Sequence, residues 1–187
     1  MGQKVVEIRP GRGMNVLSWI DVTDPLAETH VTDLIHQLDG EEASGSKQKS
    51  ENDMFSDRGR EMMSCILADL LWSDEPAEKK TLREFRNRVV TPEKEMKRLL
   101  QNIYATTKSP LAKQFAGSLM GVVSETFSGI YSHATTATQW LGVKAYADMV
   151  SEGDFDPVEL RNGNLTVCIQ IPDRSLRNTP ALGRITI

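Results

Sequence analysis

The sequence predicts a mainly α-helical domain: a helical bundle with a short β flank at each end, set as an insertion between strands of a larger α/β domain. Three observations lead there. Short apolar, β-branched runs stand near the two ends, Lys4 to Ile8 and Leu165 to Ile171. Between them apolar residues recur at i, i+3, i+4 and i+7 rather than in alternation. Proline and capping residues punctuate that middle at the positions where helices start.

The first run is stopped by Pro10-Gly11, and Gly11-Arg12-Gly13 reads as a turn leading into Met14 to Ile20. Asp24-Pro25 pairs an N-cap carboxylate with a proline at the first helical position. Val31, Leu34, Ile35 and Leu38 then give that helix an apolar face, ended by Asp39-Gly40. Residues 40–53 hold one apolar residue, Ala43, and predict a mobile loop. Met62, Met63, Ile66, Leu67, Leu70 and Leu71 predict a broad-striped buried helix from Met54 to about Trp72-Ser73. Thr81 to Glu84 matches a capping box, with Leu82, Phe85 and Val89 turned inward. Thr91-Pro92 and Ser109-Pro110 repeat the cap-then-proline signal. The first opens a helix carrying Met96, Leu99, Leu100 and Ile103; the second opens one carrying Leu111, Phe115 and Leu119. Residues 121–142, rich in Ser, Thr, Gly and Ala, continue as weaker helix. Val143 to Val150 is a further helical piece closed by Gly153, and Asp156-Pro157 starts one more turn. After Asn162-Gly163 comes the strand run, ended by Pro172. The expected organisation is a flank over 1–22, a helical body over 23–161 and a return strand with its flank over 162–187.

Composition narrows the function classes. At 187 residues with 39% hydrophobic and 26% charged side chains, the chain can bury a core. No run approaches the ~18 apolar residues of a membrane span, and no secretory leader opens the chain. Two cysteines, Cys65 and Cys168, make no disulfide framework and suit a reducing cytoplasm. A net charge of -4 argues against a dedicated binder of bare nucleic acid.

Catalytic motifs are sparse. There is no G-x-x-x-x-G-K-[ST] to cradle a phosphate, and Gly11-Arg12-Gly13 is too short to replace it. His30 and His36 are six positions apart and fall on different helix faces; His133 stands alone, so no metal site is expected. Ser44-Gly45-Ser46-Lys47 fits S-x-x-K, but in a loop that cannot desolvate the lysine. One charge feature rises above the rest. Lys79, Lys80, Arg83, Arg86, Arg88, Lys94, Lys97 and Arg98 face three acidic residues, giving +5 in twenty positions. That cluster is the candidate partner-binding site, a contact for phosphates or an acidic peptide, against the competing reading of two solvated helix faces. The acidic stretch Asp148, Glu152, Asp154, Asp156 and Glu159 is the rival surface for a basic segment. Without the rest of the larger α/β domain, an apolar patch is expected to be left exposed near Trp19 or the terminal strands, a surface through which the chain could self-associate. Small residues between Ser124 and Ala134 suit close helix packing.

Glu125-Thr126-Phe127-Ser128-Gly129-Ile130-Tyr131-Ser132, followed by Thr138-Gln139-Trp140-Leu141, resembles the type IV secretion coupling proteins. These are membrane-bound hexameric ATPases of bacterial conjugation and effector export. Asn15-Val16-Leu17 with Ile20-Asp21, Phe55 to Leu71, Thr81 to Glu84, Asp154-Phe155, Val167 to Pro172 and Pro180 to Arg184 follow in the order of that family. The resemblance implies an all-helical domain inserted into a RecA-like nucleotide-binding domain, facing the cytoplasmic side of the bacterial inner membrane. It implies a substrate-recruitment role: binding secreted effector proteins through their C-terminal signal regions. The alternative is contact with a relaxase joined to single-stranded DNA in conjugation. Other secretion-system components are expected partners, with no membrane contact by this chain. ATP and magnesium are expected of a full-length parent, whose motifs lie outside this sequence, so the chain is expected to have no cofactor and no enzyme activity. It is expected to be a monomer, the parent a hexamer.

Overall fold

The computed structural model describes residues 4–40, 51–153, 159, 163 and 165–186, with the backbone alone for 51 and 52. The expected loop at 40–53 lies mostly outside these residues, as do Ser44 to Lys47 and the turn at Asp156-Pro157. The chain is mainly helical, as its periodicity requires. Strand β1 (Lys4–Ile8) and strand β2 (Leu165–Ile169) pair in parallel, from Lys4 opposite Leu165 to Ile8 opposite Ile169. The expected strand ran on to Ile171. It stops two residues sooner because β1 leaves for the bridged turn Arg9–Arg12, and Gln170 N–H makes the last bond, to Ile8 O at 2.8 Å.

Between the strands lie α1 (Ala27–Asp39), α2 (Glu51–Trp72), α3 (Leu82–Val89), α4 (Glu93–Thr106), α5 (Pro110–Met120), α6 (Ser124–Ala137) and α7 (Lys144–Ser151). Their ends test the capping chemistry one by one. Thr81 Oγ1 accepts the Glu84 N–H at 3.2 Å and Ser109 Oγ accepts the Ala112 N–H at 3.2 Å, as expected of N-caps. Two starts differ. Asp24 Oδ1 accepts the Leu26 N–H at 2.7 Å, so it closes a turn, and α1 begins only at Ala27. At α4 the N-cap position is Pro92 itself, with no side-chain cap, so Thr91 does not cap that helix. Gly40 ends α1 in the left-handed conformation at φ 82°, with its N–H on His36 O at 3.0 Å. Beyond β2 come α8 (Asp173–Asn178) and α9 (Pro180–Thr186), which the sequence reading did not assign. Thr179-Pro180 carries the same proline signal as Ser109-Pro110 and could have disclosed α9, whereas Pro172 stands at the N-cap of α8 as Pro92 does at α4.

Helix α2 is the axis against which α1, α3, α5 and α6 pack, and α4 lies on α5. Phe85, Phe127, Ile35, Leu38, Met62, Met63, Ile66 and Leu67 are fully buried there. The same cluster reaches Val6 and Ile8 of β1 and Leu182 and Ile185 of α9, so the terminal flanks share the core of the helices. Small residues on α6 do set its approach to α2. A Cβ on Gly129 would lie 2.5 Å from the Phe55 ring, and Gly59 of α2 receives the His133 ring.

A polar joint ties the end of α1 to the bodies of α2 and α6. Arg60 Nη1 donates to Asp39 Oδ2 at 2.8 Å and Nη2 to Asp57 Oδ1 at 2.8 Å, with the Asp39 side chain only 5% exposed. His133 Nε2 of α6 lies 2.9 Å from Asp39 Oδ1, close enough for charge pairing although its N–H is not aimed along the contact. Burial pushes the Asp39 carboxyl up, but His133 and Arg60 together outweigh it and hold the group below its ordinary range. A depressed carboxyl contributes stability above its unfolded pKa and loses it as pH falls through the folded value. Asp39→Asn should therefore cost on the order of 3 kcal/mol at pH 7 and flatten the loss of stability below about pH 4. Urea unfolding at pH 7 and pH 3 checks both; an unchanged midpoint at pH 7 would remove the joint from the account.

The N-terminal flank is stitched to α7 through its backbone. Gly11, Met14 and Val16 N–H donate to the carbonyls of Ala145, Met149 and Val150 at 2.7, 3.0 and 3.1 Å. Gly13 pairs with Gly153 here, and any Cβ on Gly13 would fall inside the Met149 carbonyl. Backbone cannot step aside as a flexible side chain can. Gly13→Ala should destabilise by about 1–3 kcal/mol, whereas Gly142→Ala, which meets open space, should sit within about 0.5 kcal/mol of the parent. Parallel thermal and urea melts of the two variants make the comparison.

Candidate partner-binding surface

Seven of the eight cations of the expected cluster lie on three elements, the 3-10 turn Ala77–Lys79, α3 and the first half of α4, and Lys80 follows the turn directly. The fold separates them by function. Arg83 forms ion pairs with Asp148 and Glu152 of the α7 end. Its backbone N–H is also held, by Ser151 Oγ at 3.0 Å. Arg86 reaches α6 and donates to Thr135 O at 2.7 Å and to Thr138 Oγ1 at 2.6 Å. Its half-burial pulls the guanidinium pKa down, with the nearby Tyr131 opposing. Arg88 pairs with Asp69 of α2 at 3.1 Å and with Glu84 at 3.4 Å. Lys80 Nζ donates to the Leu71 and Ser73 carbonyls at 2.7 and 2.9 Å, completing the C-terminus of α2. These four side chains hold the fold together.

The other four face outward. Lys79 is exposed and pairs with Glu75 at 3.4 Å, a contact of small energy in water. Lys97 Nζ stands 5.0 Å from the Phe127 ring centroid and 3.3 Å from Ser124 Oγ. Lys94 and Arg98 are exposed on α4. The rival acidic stretch is spent in the same way. Asp148 takes Lys144 at 2.7 Å as well as Arg83, and Glu159 takes Lys4 at 2.8 Å. Asp154 and Asp156 lie outside the described residues. The basic and acidic candidates therefore meet at Arg83, which is paired with both Asp148 and Glu152.

One feature escaped the sequence reading. A cleft of about 620 Å³ opens between the end of α2, α3 and the second half of α4, lined by Trp72 and Leu99 and by charges of both signs, Asp69, Glu75, Arg88 and Lys108. Lys108 bonds Asp74, and that contact, the largest cause, holds the Asp74 carboxyl below its ordinary range. The cleft forms where the run 69–75 meets Arg88 and the run 99–108, a meeting of separate segments that no local pattern announces.

The remaining chemistry is structural. Burial pushes the Cys65 thiol up to about 12, with Asp69 adding to the shift, which keeps it from nucleophilic work. Among the described residues no group of His, Cys, Asp and Glu has the arrangement to hold a metal. No helix among them is long and apolar enough to cross a membrane.

Comparison with known proteins supplies the family. The model of the type IV secretory system conjugative DNA transfer family matches residues 5–186. The type IV secretion system-coupling protein VirD4 of Bartonella henselae is 34% identical over 149 residues, covering 76% of this chain and 23% of that protein. The probable conjugal transfer protein TraG of Sinorhizobium fredii is 28% identical over 179 residues, 95% of this chain and 28% of that protein. The conjugal transfer protein TraG of Agrobacterium fabrum is 27% identical over 190 residues, 100% of this chain and 29% of that protein. The chain thus spans about a quarter of the length of the relatives it matches. A match running from β1 through α9 covers both strands and every helix between them, and this chain belongs to the type IV secretion coupling protein family of conjugative DNA transfer.

Proposed function

We propose that this chain is the substrate-recruitment domain of a type IV secretion coupling protein, carried as an insertion in the nucleotide-binding domain of a longer parent. The observation that carries the reading is the parallel pairing of β1 with β2 across the whole helical body. A two-stranded parallel sheet is not self-sufficient, since parallel strands are stable when covered on both faces and flanked by further strands. Val5 and Ile169 are exposed on this pair, as strands awaiting such cover would be. The helices then form one long excursion from a larger α/β sheet, placed to meet cargo on the cytoplasmic side of the inner membrane.

The cargo in this reading is an effector protein presenting its C-terminal signal region. A relaxase joined to single-stranded DNA is the second reading, and it rests on the exposed Lys79, Lys94 and Arg98 with the half-buried Lys97. It is the weaker of the two, because Arg83, Arg86, Arg88 and Lys80 serve the fold and strong phosphate binding needs many uncommitted cations.

ATP and magnesium belong to the parent in this proposal. The glycine-rich turn Gly11-Arg12-Gly13 does not fit a phosphate. The Gly11 N–H donates to Ala145 O, and Gly13 is closed against Met149. The chain alone should release no phosphate from ATP above buffer, which a coupled phosphate assay reads.

The recruitment role is tested by pull-down from the source cell's lysate with this chain as bait, with and without nuclease. Secreted proteins that survive nuclease, and that are lost when their C-terminal regions are removed, are the expected result. Partners that disappear with nuclease would transfer the function to the nucleoprotein, and an absence of secreted partners would end the proposal.

A further inference from the structure

We infer that the ridge of residues 18–26, where Trp19, Val22 and Leu26 stand exposed among carboxylates, docks a cationic and partly apolar segment of a partner protein. This deepens the recruitment reading and rests on it for the identity of the partner, but the surface itself is argued from the chain.

The ridge has a defined shape. Leu17 and Ile20 are buried and anchor it to the core. Successive turns hold its backbone, with Ile20 N–H on Leu17 O at 3.1 Å, Asp24 N–H on Asp21 O at 3.0 Å and Ala27 N–H on Asp24 O at 3.0 Å. Asp21 Oδ1 and Asp24 Oδ1 brace it further, accepting the N–H groups of Thr23 and Leu26 at 2.9 and 2.7 Å. On this ordered backbone Trp19 is 44% and Leu26 59% exposed. Large apolar side chains grouped on a held surface mark contact sites more often than scattered ones do. The Trp19 ring leans on His30, with centroids 5.2 Å apart, and His30 Nδ1 is buried with no hydrogen-bond partner.

Charge selects the occupant. From residue 13 to residue 40 the sequence has five acidic residues, Asp21, Asp24, Glu28, Asp33 and Asp39, and no Lys or Arg. Asp39 is taken by Arg60. Among the described residues the other four form no ion pair with a lysine or arginine. The Thr23 N–H and hydroxyl hold the Asp21 carboxyl below its ordinary range, so it stays ionised. A turn carrying cations is bonded to the segment leading into the ridge, where Asn15 Nδ2 donates to Lys80 O at 2.9 Å. Its lysines are committed elsewhere, Lys80 to Leu71 and Ser73 carbonyls and Lys79 to Glu75.

A nucleic acid or an anionic membrane would be repelled by this surface. A purely apolar partner would strip water from Asp21 and Asp24 without replacing it. A segment bearing Arg or Lys beside leucine-like side chains satisfies both features. Its cations meet the two carboxylates, a guanidinium can stack on the Trp19 face, and its apolar side chains cover Val22 and Leu26.

The test titrates the 187-residue chain with a synthetic arginine–leucine peptide and with its glutamate–leucine counterpart, read by isothermal calorimetry at two salt concentrations. Asp21→Asn with Asp24→Asn removes both charges but keeps the acceptor oxygens that brace the turns, so the fold survives, which circular dichroism confirms. The expected result is binding of the arginine peptide alone, weakened by salt, weakened about fivefold to tenfold by the double variant, weakened again by Trp19→Ala, and unmoved by Lys94→Glu. Equal binding of the two peptides, or an affinity indifferent to Trp19, Asp21 and Asp24, overturns the proposal. Self-association of the chain that disappears in the same variants would also overturn it, by making a second copy the occupant. The two proposals fail separately: secreted cargo that binds regardless of these three residues sinks the ridge and keeps recruitment, while peptide binding without any secreted cargo keeps the ridge and sinks recruitment.

Discussion

Strands from opposite ends of the sequence hydrogen-bond side by side and in the same direction, and the helices between them must leave from one and return to the other. A parallel pair cannot be closed by a tight turn; it needs a crossover. Here the crossover is the whole body α1 to α7. That constraint explains features that look unrelated. The N-terminal flank runs back along α7, because α7 is where the chain must come home, and the glycines Gly13 and Gly153 face each other because two backbones meet there. Helix α9 packs on α1, and Arg184 Nε donates to Gln37 O at 2.8 Å, binding the last segment to the first helix.

Electrostatics in this molecule is arranged in pairs across elements rather than as a field. Arg83 joins α3 to the end of α7, Arg88 joins α3 to α2, and Arg60 joins α2 to α1. Partly buried pairs of this kind orient the elements they connect, and removing one partner leaves the other uncompensated. The consequence for function is subtractive. A run of basic residues that reads as one site is divided by the fold into structural cations and a smaller exposed remainder. In the acidic, apolar ridge around Trp19, by contrast, Asp21 and Asp24 form no ion pair with a lysine or arginine among the described residues.

Local chemistry carried most of the fold. The apolar spacing of α1, the broad stripe of α2 and the caps at Thr81 and Ser109 each depend on residues within one or two turns, so the sequence displays them directly. Asp24 and Thr91 misled because a capping residue before proline also suits a turn, and only the backbone path decides between the two. Helices α8 and α9 are six and seven residues long, too short for a periodic face to declare itself. The site was less legible. Lys79 to Arg98 shows its charge in the sequence, but not that Asp148, Asp69 and Thr138 wait for it from elements distant along the chain. The Trp19 ridge was visible only as an apolar patch; its order comes from hydrogen bonds that composition does not reveal.

The adjacency of the two end strands is the observation on which the proposed insertion, and with it the proposed recruitment role, rests. Glu7 sits directly opposite Cys168 in the register, whereas Cys65 is buried and unreactive. The most direct measurement is mild oxidation of the Glu7→Cys variant, with peptide mapping by mass spectrometry and Arg12→Cys as the control. The account predicts an intramolecular bond between position 7 and Cys168, formed well ahead of any bond from position 12, since neighbouring strands bring Cα atoms within disulfide reach. A position-7 thiol that stays unlinked, or that links no faster than the control, would mean that the ends of the helical body do not meet in one sheet.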